Sequence, residues 1–145
     1  MSDPDLADGD AYVLERQVGF ILRQVYQRHA GLFAVRFGEE ITPMQWAAIA
    51  KLNEIGDCTQ NLLGRLTAMD VATIKGVVER LAKRGLAETR PDPTDRRKIV
   101  VSLTDEGRAV YARNVKVAAD ITEETLSPLD REERQRLIDL LERLR

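Results

Sequence analysis

The residues best able to do chemistry in this chain are cations, and they cluster. Arg96, Arg97 and Lys98 follow directly on the run Pro91-Asp92-Pro93-Thr94-Asp95. Three adjacent cations at the end of a turn repel one another and favour an external anion. With Arg65, Lys75, Arg80, Lys83, Arg84 and Arg90 they make nine over residues 59–98, against five acids, Asp70, Glu79, Glu88, Asp92 and Asp95. That segment carries +4 while the whole chain carries −2, so the remainder carries −6. A basic segment on an acidic body suits a single polyanion-facing surface. Ordinary solvated helix charge is the alternative. Constellations for covalent or hydrolytic chemistry are missing. One His and one Cys supply neither a nucleophile–base motif, nor a structural zinc set, nor an internal disulfide. No phosphate loop occurs. Neither an enzyme nor a cofactor is expected.

The elements that must position these cations are readable from periodicity. Residues 1–10 are polar, with Pro4 and Gly9, and read as a flexible N-terminal arm. Residues 11–145 read as one domain. Over 11–37 apolar residues recur at Leu14, Val18, Ile21, Leu22, Val25 and Leu32, with a second stripe of Val13, Phe20, Phe33 and Phe37. A helix apolar on two faces touches more than its own core, which suggests a partner chain. Thr42-Pro43-Met44-Gln45 is a capping box with proline at the first helical position. The helix it opens should run to about residue 55 and turn Ala48, Ile49, Leu52 and Ile55 inward, with Trp46 and Ala50 beside that arc. A short helix over 59–66 should bury Leu62, Leu63 and Leu66. After the connection Thr67-Ala68-Met69-Asp70, a helix capped by Asp70 should run to about residue 84 on the stripe Ile74-Val77-Val78-Leu81, ended by Gly85.

The period then changes to two. Residues 87–90 and 98–103 read as a hairpin around the proline-rich turn, with Ile99, Val101 and Leu103 on one face. Thr104 caps a helix to about residue 125, Pro128 breaks it, and a last helix over 130–144 should bury Leu137, Ile138, Leu140, Leu141 and Leu144. Helix, four-residue turn, helix, strand, turn, strand is a winged helix–turn–helix. The fold class is mainly α with a small β-hairpin wing. The lobe spans 42–104, and dimerisation helices span 11–37 and 105–145.

This order implies duplex DNA as a partner. Opposite its apolar stripe, the second helix of the pair projects Ala72, Thr73, Lys75, Gly76, Glu79, Arg80 and Lys83. Such a helix enters the major groove with its N-terminal residues at the base edges. Ala72 and Gly76 permit close approach, Thr73 and Lys75 reach bases or phosphate, and Arg80 and Lys83 meet the backbone. Thr59 and Gln60, at the start of the first helix of the pair, join the DNA side. Arg96, Arg97 and Lys98 suit the negative potential of a narrow minor groove; pairing of Arg97 with Asp95 is the alternative. Excess apolar surface on the end helices also points to a homodimer, which would set two recognition helices roughly 34–36 Å apart on a palindrome.

The run Asp95-Arg96-Arg97-Lys98-Ile99-Val100-Val101-Ser102-Leu103-Thr104-Asp105-Glu106-Gly107 resembles the wing signature of the MarR transcription regulators. Leu81-Ala82-Lys83-Arg84-Gly85-Leu86-Ala87 is similar to their recognition-helix exit, and Thr42-Pro43-Met44-Gln45-Trp46 to their second-helix start. The resemblance covers about residues 14–142. It implies a homodimer with interdigitating end helices and an effector pocket between those helices and the DNA-binding lobe. It also implies that Asp95 orients the wing, Arg97 enters the minor groove and Arg96 contacts phosphate.

A signal could enter at the first helix. Arg16, Arg23, Arg28, His29 and Arg36 face the single acid Glu15, and Tyr12, Phe20, Tyr26 and Phe33 lie among them. With Met44 and Trp46 from the next helix, these suit an anion with an apolar body, an aromatic acid or an aryl- or acyl-coenzyme A thioester. The candidate effector residues are Arg16, Phe20, Arg23, Tyr26, His29, Phe33, Arg36, Met44 and Trp46. A cationic face balancing the partner chain's acidic C-terminal helix is the alternative. The expected function is a ligand-responsive, dimeric DNA-binding repressor. A constitutive architectural DNA-binding protein, or a redox sensor through Cys58, is the other reading. No apolar run approaches the roughly 20 residues that span a bilayer. The acidic start lacks a secretory pattern, so a cytoplasmic protein without a membrane partner is expected.

Overall fold

Most helix starts are fixed by a side chain. The computed structural model describes residues 11–145, and the arm expected over residues 1–10 lies outside them. Thr42 Oγ1 accepts from Gln45 N at 3.1 Å and Gln45 Oε1 accepts from Thr42 N, which opens α2 (Pro43–Ile55). Thr59, Asp70, Thr104 and Asp130 cap α3 (Gln60–Leu66), α4 (Val71–Lys83), α5 (Asp105–Thr125) and α6 (Arg131–Glu142). These acceptors satisfy N–H groups that a helix start leaves unpaired. The first helix, α1 (Val18–Phe37), has no such cap. Its expected continuous run from residue 11 is interrupted. Leu14–Arg16 form a 3-10 turn and Gln17 is extended, its side-chain amide donating to Val13 O at 2.9 Å.

The expected hairpin is β2 (Ala87–Pro91) and β3 (Ile99–Leu103), antiparallel, with Ala87 opposite Leu103 and Pro91 opposite Ile99. A third strand joins it that periodicity could not reveal. The two residues of β1 (Cys58–Thr59) pair with Val101 and Val100, giving the order β1-β3-β2. Two residues are too few to show alternation. The strand makes β3 central. Helices α2, α3 and α5 also contact it, and Val100, Val101, Ser102 and Leu103 are all buried, so that only Ile99 of the expected inward face is exposed.

The core of the lobe is Ile49, Leu63, Ile74, Val78, Leu81 and Val101, joined by Ile121 of α5. The helices α3 and α4 cross closely because Gly64 has no side chain. A Cβ there would stand 3.0 Å from Ile74 Cγ2 and 3.1 Å from Met69 O. Between them Ala68 takes a left-handed conformation, φ 56, and turns the chain. Ile55 and Leu66, expected inward, are 44% and 45% exposed, because each ends its helix beyond the covered arc. The stripe on α6 differs more. Ile138, Leu140, Leu141 and Leu144 are exposed and Leu137 is half-buried, so within one chain this helix covers nothing with them. On α1, Val18, Ile21, Leu22 and Val25 are likewise exposed, while Phe33 and Phe37 are buried.

Candidate functional site

Two surfaces gather the polar residues singled out from sequence. The first combines α4, the start of α3 and the wing tip. The four apolar residues Ile74, Val77, Val78 and Leu81 are buried, so the opposite face of α4 is turned outward by geometry. Ala72, Lys75, Arg80 and Lys83 are exposed there, and Thr73 and Gly76 are half-buried. Thr73 is partly committed. Its N–H donates to Asp70 Oδ1 at 2.7 Å, and its hydroxyl and N–H together hold the Asp70 carboxyl below its ordinary range. Arg80 folds back along the helix. A Cβ on Gly76 would sit 3.4 Å from its Nη1, so Gly76 makes room for this cation near the middle of the face.

The wing tip is built by carboxylates. Asp92 Oδ1 accepts from Thr94 N at 2.8 Å, from Thr94 Oγ1 at 2.7 Å and from Asp95 N at 3.3 Å, an Asx turn. Asp95 Oδ1 accepts from Arg97 N and Arg97 Nε, both at 3.1 Å, and Asp95 Oδ2 accepts from Arg97 Nη2 at 3.3 Å. The guanidinium is the main reason the Asp95 carboxyl is held below its ordinary range. The two expectations for Arg97 are compatible. It is paired, yet its side chain is 91% exposed, so Asp95 aims it outward. Thr59, Gln60, Asn61, Arg97, Lys98 and Ile99 line one small depression of about 70 Å³. The wing and the start of α3 therefore meet, and Asn61 joins the face. Between Gln60 and Leu62 in a short helix, it carries no separate signal in the sequence.

At its base the wing is tied to the helices. Arg90 on β2 donates to Ser102 Oγ at 2.6 Å and to Asp57 Oδ2 at 3.0 Å. The Arg90 side chain is the leading cause that lowers the Asp57 pKa. Lys75, Arg80 and Lys83 stand exposed on α4, and Arg96, Arg97 and Lys98 stand exposed on the wing. Exposed cations of this kind attract a phosphate backbone.

The second surface is a groove of about 360 Å³ between α1, α2 and α5. Its walls are His29 and Phe33 of α1, Trp46 and Ala50 of α2, and Tyr111, Val115, Ala118, Ala119, Ile121 and Thr122 of α5. The aromatic residues are in mutual contact. Phe33 stacks on Phe37 at 4.3 Å, Phe37 tilts against Trp46 at 5.4 Å, and Trp46 stacks on Tyr111 at 5.4 Å with ring planes 7° apart. Thr125 Oγ1 donates to Ile121 O at 2.8 Å, so it accepts from Nδ1–H of His29, also at 2.8 Å. That fixes the tautomer and leaves Nε2 as the uncommitted ring nitrogen.

Of the candidate effector residues, His29, Phe33 and Trp46 line this groove, and Arg16, Phe20, Arg23, Tyr26, Arg36 and Met44 do not. Arg36 pairs with Glu124. Arg28 donates to Thr125 O at 2.6 Å and to Glu124 O at 3.0 Å, closing the negative end of α5. Part of the cationic face is thus matched within its own chain. The α5 wall carries no separate signal in the sequence, where residues 105–125 read only as one long helix. Cys58 is buried, and desolvation followed by the Asp57 carboxylate pushes its thiol up, opposite to the shift a reactive thiolate needs. No helix among the described residues is long and apolar enough to cross a membrane.

Known proteins share this arrangement. Residues 40–98 match the family model described as MarR family. The HTH-type transcriptional repressor NicR of Pseudomonas putida is 37% identical over 138 residues, 94% of this chain and 87% of that protein. A crystal structure of a probable transcriptional regulator from Pseudomonas aeruginosa is 53% identical, with a TM-score of 0.86 over 92% of this chain and all of that one. Bordetella bronchiseptica BpsR, whose structure concerns regulation of its DNA binding by 6-hydroxynicotinic acid, is 37% identical, with a TM-score of 0.89 over 93% of this chain and 97% of that one. The wing, the helix pair and the match over most of both chains agree, and the chain belongs to the MarR family of transcription regulators.

Proposed function

We propose that this regulator is a homodimeric repressor of a palindromic operator, released by a small aromatic acid bound in the groove between α1, α2 and α5. The observation that carries the reading is the groove itself. An aromatic wall of Phe33, Trp46 and Tyr111, with the free Nε2 of His29 beside it, adjoins the helix that begins the DNA-binding lobe. Ring faces take an aromatic ligand. Neutral Nε2 accepts from a ring hydroxyl or N–H, and protonated Nε2 donates to a carboxylate. About 360 Å³ suits a one-ring acid and leaves the adenosine and phosphates of a coenzyme A thioester outside. NicR is a repressor by name and BpsR responds to 6-hydroxynicotinic acid, which supports the same class here.

The residues proposed for DNA are Thr59, Gln60, Ala72, Thr73, Lys75, Gly76, Arg80, Lys83, Asp95, Arg96, Arg97 and Lys98, within a lobe spanning 42–104. The exposed apolar residues of α1 and α6 support pairing of two chains through 11–37 and 105–145. Trp46 is the sole tryptophan, so its fluorescence reports on the groove. Titration with a panel of hydroxylated nicotinic and benzoic acids should quench it saturably. A panel that leaves the emission unchanged removes the effector from this groove.

A further inference from the structure

We propose that Arg84 is a positioning residue that ties the recognition helix to the start of α2. Arg84 stands at the C-terminal end of α4. Its Nη1 donates to the Glu40 carbonyl, in the corner between α1 and α2, and to Gln45 Oε1 at 3.2 Å. Gln45 is 7% exposed, and the same Oε1 closes the capping box of α2 by accepting from Thr42 N. One buried oxygen thus serves both the first turn of α2 and the exit of α4. Trp46, the next residue, is wedged between Phe37 and Tyr111 in the groove wall. A shift of the α2 start therefore has a direct mechanical route to the recognition helix, through one side chain bonded to Glu40 and Gln45. Coupling carried by such a contact requires two arrangements of the element that both sites bias.

The test is DNA binding by the full chain, using a duplex selected by the wild-type protein from a random pool. Arg84→Met should weaken binding to that duplex by about tenfold and to random duplex by less than about twofold, with the salt slope unchanged. A parallel loss on both duplexes with the slope reduced by about one would make Arg84 a phosphate contact and overturn the proposal. Gln45→Met alone, and combined with Arg84→Met, closes the cycle. The double variant should lose no more than the larger single loss, and multiplicative losses also overturn the proposal. If Arg84→Met does not fold, Arg84→Lys, which keeps the charge but not the forked geometry, should fall between wild type and Gln45→Met. A ligand arm rests on the effector reading and uses 6-hydroxynicotinic acid as probe. Arg84→Met should still quench Trp46 with the probe, while the probe's effect on Kd for DNA shrinks toward onefold. Retention of the full effect refutes the coupling. If the wild-type protein responds to the probe in neither readout, the effector reading fails and the DNA cycle alone decides Arg84.

Discussion

Replacing Arg97 with alanine separates anchoring from folding. The Arg97 side chain is 91% exposed and bonds only to the half-buried Asp95 carboxylate. Exposed pairs contribute little to stability. The turn also keeps its backbone bond, because Asp95 Oδ1 still accepts from the residue 97 N–H. The melting temperature should therefore stay within a degree or two of wild type. DNA binding should not. Loss of one cation, and of the counterion release it brings on binding, lowers the salt slope by about 0.9. Raising salt fourfold, from about 50 to 200 mM, should then cost the wild type about 3.5 times more affinity than the variant. At physiological salt the variant should bind about tenfold more weakly, within the span for a groove-inserted arginine. Fluorescence anisotropy of a labelled, selected duplex over a salt series, with circular-dichroism melts alongside, measures both. Asp95→Ala is the control. It keeps the cation and loses its aim, so affinity should fall with the slope retained. An unchanged slope and Kd for Arg97→Ala, or a melting temperature lowered by many degrees, would refute the reasoning.

Other outcomes follow from the same geometry. Thr73→Ala and Lys75→Ala should alter base preference, read by competition among single-base variants of the selected duplex, more than Arg80→Ala does; equal loss on selected and random DNA for all three would deny α4 its reading role. Ile74→Ala, which empties a 1% exposed position against Gly64, should cost about 2–5 kcal/mol and lower the melting temperature by roughly 5–15 °C. Asp57 has its folded pKa depressed below 3.8, chiefly by Arg90, so its stabilisation is present above the ordinary carboxylate value and is lost as pH falls through the depressed one. The difference in urea midpoint between wild type and Asp57→Asn should therefore favour wild type near neutral pH and vanish in acid; a difference that grows in acid would contradict the sign.

Features set by local chemistry were readable in the sequence, and features set by distant chain were not. Thr42, Thr59, Asp70, Thr104 and Gly85 mark helix ends by interactions within a few residues, and those boundaries stand where the caps put them. The stripe on α4 works for the same reason, since one face meets one core. β1 was invisible because two residues become a strand only when Val100 and Val101 arrive from some forty positions away. Helices α2, α3 and α5 also pack against β3, and the expected alternation is lost there. The groove was half readable. His29, Phe33 and Trp46 stood out as rare types on suitable faces, but the wall on α5 is made of ordinary helix residues that only tertiary packing brings opposite them. Arg28 and Arg36 looked free because their partners, the final turn of α5 and Glu124, lie nearly a hundred residues on. The apolar residues of α6 remain uncovered in a single chain, as expected of a surface meant for a second copy.

The claim that a ligand in the α1–α2–α5 groove controls the winged lobe meets its most direct test in one titration. Anisotropy of the labelled, selected duplex bound to the wild-type dimer is followed as 6-hydroxynicotinic acid and related aromatic acids are added at fixed salt. At least one acid should release the DNA saturably, at the same concentration that quenches Trp46, and Trp46→Leu should displace that concentration upward. DNA binding indifferent to every acid, or release with no matching change at Trp46, would contradict it.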